Sequence, residues 1–288
     1  MKYVTPAMCM TAALLVGCKT DGQGPTSRLQ NEPPPPMMSV IPTTLGQADA
    51  SPRNIIAVPV VVQLDVYQMW VPYGSVSASD AFWKPVEENA VDVATYDLLF
   101  KNGIRVGVAP RAEWAQLKAL LDQNPASVQH KSHLTTDPKN LELETGVVKD
   151  SQNIFFYDAQ NELHGKTHDK AQNVMALTFQ PAPRRTGDVR VTLCPVVRST
   201  KKRFEVSGSG EEREVSYIFP ERLYDLNLRA DIPLDGFLVI APSIEGRWPT
   251  SVGNAFFTRD GNAERLEQVI LLVPNLVQVR AMKPTELK

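Results

Sequence analysis

The sequence predicts an α+β fold, a small α/β unit over residues 54–128 followed by an antiparallel β-rich unit over residues 129–288. Three observations carry this reading. From residue 55 to 121 β-branched runs alternate with segments whose apolar residues recur at helical spacing. Beyond Gln129 short apolar runs are separated by turn residues. A composition of 43% apolar and 22% charged positions in 288 residues is that of a globular chain, long enough for one large domain or two small ones.

Ordered structure is expected to begin at residues 55–66 (IIAVPVVVQLDV), a β-branched run that alternates from Val62 to Val66 as a central strand does. Residues 87–101 place Val91, Ala94, Thr95 and Leu98 on one helical face, with Asp92 near the head, Lys101 at the tail and Gly103 as the C-terminal cap. Residues 104–109 form a short strand. Pro110 then opens a second helix whose Trp114, Leu117 and Leu121 share a face until Asn124 and Pro125 end it. In the second half, residues 153–166 form a hairpin closed by Asp158, Ala159, Gln160 and Asn161, and residues 203–219 a second closed by Gly208, Ser209 and Gly210. Residues 174–179, 189–197, 223–228, 237–240 and 269–277 supply further strands, and residues 263–268 a short helix.

Residues 19–53 are polar and rich in proline, with Pro33, Pro34, Pro35 and Pro36 in one run. Such a segment buries too little apolar surface to offset its ordering entropy, so residues 18–53 read as a tether of partly polyproline II character. Ahead of it, residues 7–16 (AMCMTAALLV) follow Lys2 as an apolar stretch of signal-peptide length, too short for the roughly 20 residues of a membrane-spanning helix. Leu15, Val16, Gly17 and Cys18 then resemble the lipobox of bacterial lipoproteins. That resemblance implies cleavage after residue 17, a diacylglyceryl anchor on Cys18 and a place in the cell envelope. Lys19 after the cysteine implies the outer membrane, facing the periplasm. Two acyl chains suffice for stable anchoring.

The body of the chain keeps one cysteine, Cys194, so no intrachain disulfide can form within it. A net charge of −2 exerts no general pull on nucleic acid, and no nucleic-acid partner is expected. Four histidines occur as two pairs, His130 with His133 and His164 with His168, which read as solvated loops rather than metal ligands. Ser243 lacks the glycine-flanked elbow of a nucleophile, and Cys194 sits in an apolar strand as an inert thiol. The glycines Gly103 and Gly107 lack phosphate-loop spacing. Glu142 and Glu144 share the solvent face of a strand, unsuited to a raised pKa. Arg184, Arg185, Arg190, Arg198, Lys201, Lys202 and Arg203 form a basic stretch followed by Glu205, Glu211, Glu212 and Glu214, a charge-paired hairpin surface. Trp70, Trp83 and Trp114 are assigned to the core and Trp248 to an exposed loop.

The order of segments over residues 189–277 is similar to the C-terminal core of secretins, the ring proteins of type II and III secretion. An arginine-threonine strand ends at Pro195, an "LVI" strand follows Gly236, paired aromatics Phe256 and Phe257 follow a glycine-containing turn, and an aliphatic strand ends at Pro274. The resemblance implies a sheet in which Val191, Leu193, Leu238, Ile240, Leu271 and Val273 all face one interior. No catalytic residue, cofactor or metal is assigned. The functions left open are a lipid-anchored envelope protein that binds or assembles with envelope proteins or itself, a secretion-associated subunit, and an envelope hydrolase.

Overall fold

Strand alternation at residues 62–66 builds the centre of a sheet. Val62, Leu64 and Val66 point to one side and Met69 and Val71 to the other, and all five are buried. The computed structural model describes residues 60–123, 127–183, 187–206, 208 and 212–278, all within one unit spanning residues 56–288. The signal segment, the lipobox with Cys18, the tether, and Arg184 and Arg185 lie outside the described residues. In chain order the strands are β1 (Val60–Pro72), β2 (Ile104–Pro110), β3 (Ser127–Thr135), β4 (Lys139–Glu144), β5 (Lys149–Tyr157), β6 (Leu163–Pro181), β7 (Val189–Val206), β8 (Glu212–Arg222), β9 (Leu228–Ile232), β10 (Gly236–Pro242), β11 (Thr258–Asp260) and β12 (Arg265–Gln278). The helices are α1 (Asp80–Trp83), α2 (Val93–Lys101), α3 (Trp114–Asp122) and α4 (Val252–Phe257).

The strands form two antiparallel sheets. The first runs β2-β10-β12-β1-β3, with β11 also on β12; the second runs β4-β6-β7-β8, with β5 on β6 and β9 on β7. Three layers result. Phe82 and Trp83 of α1 and Leu117 and Leu121 of α3 cover one face of the first sheet through Met69, Phe237, Val239, Val269 and Leu271. Its other face, with Leu64, Val106, Leu238, Ile240, Ile270 and Leu272, packs on the second sheet through Met175, Leu177, Phe179, Val191 and Leu193. Strands β10 and β12 are therefore buried on both sides, which is why residues 237–241 and 269–273 are unbroken apolar runs instead of alternating ones. Asn173, buried in β6, ties the second sheet to α4 by donating to the Ala255 carbonyl at 2.7 Å.

The architecture is mostly antiparallel β with few helices, and the expected α/β unit does not stand apart. β1 pairs with β12 and β2 with β10, so the segments 54–128 and 129–288 interleave in one sheet. Local periodicity reports which face of a strand is apolar, not which strand lies beside it. The expected hairpins at 153–166 and 203–219 are present as β5–β6 and β7–β8. Helix α2 starts later than expected because Asp92 caps it, accepting from the Thr95 N–H at 2.9 Å. Pro110 ends β2, and α3 begins at Trp114 after a 3-10 turn over Arg111–Glu113. The helix expected at 263–268 is absent, since from Arg265 onward the chain pairs with β1 and β11. The strand expected at 223–228 is a 3-10 turn over Tyr224–Leu226 followed by β9.

Residues 189–277 do not make one sheet: β7, β8 and β9 belong to the second and β10, β11 and β12 to the first. Val191, Leu193, Leu238, Ile240, Leu271 and Val273 are all buried. They do not share an interior, because Leu238 lies opposite Leu272 and Ile240 opposite Ile270. Directly opposed residues share a face, so Leu271 and Val273 point to the helical layer while the other four point between the sheets.

Candidate functional site

The C-terminal end of α2 organises the most site-like concavity. Gly103, at φ +86°, ends the helix in the left-handed region that favours glycine. A Cβ on Gly253 would lie 1.8 Å from the Gly103 carbonyl oxygen, and a Cβ on Gly103 would lie 2.9 Å from the Gly246 Cα. Three backbones thus meet where no side chain fits. The loop between β10 and α4 is fastened there by hydrogen bonds from the Ser243 N–H to the Gly103 carbonyl and from the Gly253 N–H to the Asn102 carbonyl, each 2.9 Å. Asn102 also clamps the end of β5: its amide donates to the Tyr157 carbonyl at 2.9 Å and its Oδ1 accepts from the Tyr157 N–H at 2.8 Å.

These fastenings bring Trp248 opposite the β5–β6 hairpin. The Phe155 N–H donates to the Thr250 carbonyl at 2.8 Å, and the Phe155 ring lies across Gly165, where a Cβ would come within 2.4 Å of it. A cleft of about 460 Å³ opens between Trp248 on one side and Phe155, Tyr157 and Leu163 on the other. Trp248 is 56% exposed, with its indole N–H donating to Glu245 at 3.2 Å. The Lys101 ammonium stands 3.7 Å from the Tyr157 ring centre and bonds Asn161. Apolar walls with a fixed cation and carboxylate at the rim suit a ligand with a flat or aliphatic face. A larger hollow of about 810 Å³ lies beside β11, but its cations are already engaged: Arg259 stacks 4.0 Å over Trp70 and Lys149 donates to the Ala255 carbonyl at 3.3 Å.

The residues singled out by sequence are dispersed. Both histidine pairs lie on strands, His130 and His133 on β3 and His164 and His168 on β6, not in loops. His168 is buried, which lowers its pKa; Glu221 at 4.0 Å offsets this only partly. His164 meets Asp158 at 2.7 Å, and the Asp158 Oδ1 accepts the N–H groups of Gln160 and Glu162. The Glu162 N–H and His164 hold this carboxyl below its ordinary range. Donor atoms of Asp158, Glu162 and His164 lie within 4.8 Å of one another, yet both Asp158 oxygens already serve to close the hairpin. Ser243 is buried and donates to the Phe100 carbonyl, and Cys194 is buried, which pushes its thiol pKa up. Glu142 and Glu144 face solvent, with Arg198 3.1 Å from Glu142.

Sequence reasoning missed two clusters. Glu267, fully buried, accepts the N–H groups of Val76 and Ser77 at 2.6 and 3.0 Å and so holds the turn that leads to α1. Asp65, Ser132 and His130 meet on β1 and β3, with the Ser132 hydroxyl and the His130 Nε2, 3.6 Å away, both directed at Asp65 Oδ1. A nucleophilic serine would instead donate to the imidazole. Burial opposes ionisation of Asp65, but the hydrogen bonds from Ser132 and Gln63 outweigh it and lower its pKa. The cleft had one trace in the sequence, a glycine opposite a phenylalanine in the expected hairpin.

Compared with known proteins, the chain matches no family model, no curated protein and no solved structure.

Proposed function

We propose that this chain is a lipoprotein of the cell envelope, anchored through Cys18, whose β-rich body binds a partner or ligand without chemistry at the Trp248 cleft. The observation that carries the binding reading is the exposed indole, fixed by Glu245 and facing Phe155 and Tyr157 across an open cleft. An aromatic side chain beside further apolar walls in a concavity is the kind of anchor around which binding sites are built, and this supports the reading. The lipobox-like residues 15–18 support the anchor, and no helix among the described residues is long and apolar enough to cross a membrane. The hydrolase reading is weakened by the Asp65 cluster, in which the hydroxyl is tied to the carboxylate.

Photo-crosslinking in intact envelopes tests the binding reading. A photoreactive phenylalanine derivative replacing Thr250, at the cleft wall, should give one discrete adduct that Trp248→Ala abolishes. No adduct, or one indifferent to Trp248→Ala, overturns it.

A further inference from the structure

The β6–β7 ladder ends at the pair Ala171 and Ser199. Among the described residues, β7 continues from Thr200 to Val206 paired with β8, from Thr200 opposite Ile218 to Val206 opposite Glu212. A two-stranded ribbon thus leaves the sheet with both faces in water, a form that is marginal by itself. Its faces differ. On one, the Lys201 ammonium sits 3.9 Å over the Phe219 ring and the Arg203 guanidinium 5.4 Å over the Tyr217 ring, so the aromatics are capped by the ribbon's own cations. The other exposes Phe204 by 71%, Val206 by 68% and Ile218 by 61%, crossed by the Lys202–Glu214 ion pair.

We propose that this second face is a self-association surface that packs antiparallel on the same face of a second copy of this chain. The charge order identifies the occupant. From base to tip the face presents Ile218 with Thr200, Lys202 with Ser216, Phe204 with Glu214, and Val206 with Glu212. It is basic near the base and acidic near the tip. A two-fold axis in the plane of contact and perpendicular to the strands stacks β7 on β7 and β8 on β8. The Lys202–Ser216 row of each copy then meets the Phe204–Glu214 row of the other, with Lys202 diagonal to Glu214, and the Thr200–Ile218 row meets the Val206–Glu212 row, with Ile218 diagonal to Val206; each contact occurs twice. Lys201, Lys202, Arg203 and Arg213 are balanced to within one charge by Glu205, Glu212 and Glu214, which gives little attraction for an anionic polymer or membrane. Seven residues of ribbon, about 24 Å long and two strands wide, bury less than the ~800 Å² per partner of a standard interface, so the dimer is weak and dissociates on dilution.

Sedimentation of the full chain in detergent, from about 1 to about 200 µM, tests this. A monomer–dimer equilibrium is expected, weakened about tenfold or more by Lys202→Glu or by Glu214→Lys alone. An equimolar mixture of the two variants should recover it, because both intermolecular contacts are then restored while the intrachain pair stays broken in each copy. Association through the N-terminal segment would survive both substitutions, so the result is separate from the fate of the anchor. A monomer at the highest concentration, association unmoved by either variant, or a mixture no tighter than its components overturns the proposal. So does binding of a monomer to anionic phospholipid vesicles that Phe204→Glu abolishes.

Discussion

At Gly253 there is room for a hydrogen and nothing more, because the Gly103 carbonyl occupies the place of a Cβ at 1.8 Å. Gly253→Ala must push apart the two backbones that fasten the Trp248 loop and is expected to cost ~3 kcal/mol or more in urea unfolding, at the upper end of overpacking effects. Gly146→Ala, with nothing within 4 Å, is the neutral control. Trp248→Ala removes an exposed side chain and should change stability by no more than about 0.5 kcal/mol while abolishing the cleft adduct. His168 carries a pH signature. Burial favours the neutral imidazole, so its folded pKa lies below the unfolded value near 6.5, and the unfolded chain binds the extra proton. Stability is full above about pH 6.5 and falls as pH drops below it. Urea midpoints between pH 7.5 and 5 should decline in the parent chain and decline less in His168→Gln. Asp65 acts in a lower window: its depressed pKa contributes stability above about pH 3.8 that is lost only on further acidification, so it leaves the histidine range clear. Of these positions only Trp248 was legible in the sequence, as a tryptophan on an exposed loop. A buried histidine and a solvated one are spelled alike, and His168 is buried only because β6, β7 and β8 close around it.

Elements were legible where their own side chains specify them. β1 follows from the alternation of Val62, Leu64 and Val66, the β5–β6 hairpin from the turn residues at 158–161, and the buried face of α3 from Leu117 and Leu121. Boundaries failed where a neighbour decides: residues 263–268 have helical composition, but Leu266 and Glu267 are drawn into the ladders of β1 and β11. β12 lies between β1 and β10 with both faces covered, so it has no solvent side to lose. Leu271→Ala and Leu238→Ala should each cost about 2 to 5 kcal/mol. A chain ending before Glu267 should lack cooperative unfolding by circular dichroism, because β1 and β10 would lose their hydrogen-bond partner along with the central apolar strand. A truncated chain that still unfolds cooperatively would show that β12 is dispensable.

For the molecule as a whole, three layers put α1 and α3 on one side of the first sheet and the second sheet, with α2 and α4, on the other, with the cleft and the ribbon left to water. Membrane attachment belongs to this scale. Under the anchor proposal, the mass of the membrane-extracted chain should show a diacylglyceryl-sized increment on a product beginning at residue 18, and Cys18→Ser should abolish it; a mature chain with a free Cys18 thiol in the soluble fraction would end that reading. The sequence by itself determined the apolar faces of β1 and α3, both hairpins and the apolar stretch ahead of Cys18, since each is written in residues close together along the chain. Only the tertiary structure decided which strands are neighbours, why residues 189–277 divide between two sheets, and that Trp248 faces Phe155 and Tyr157. The physical reason is that a two-residue period records which side of a strand avoids water, while backbone hydrogen bonding is nearly the same with any partner. Pairing is then selected by which arrangement buries all the apolar faces at once, a property of the assembled layers and of no single segment.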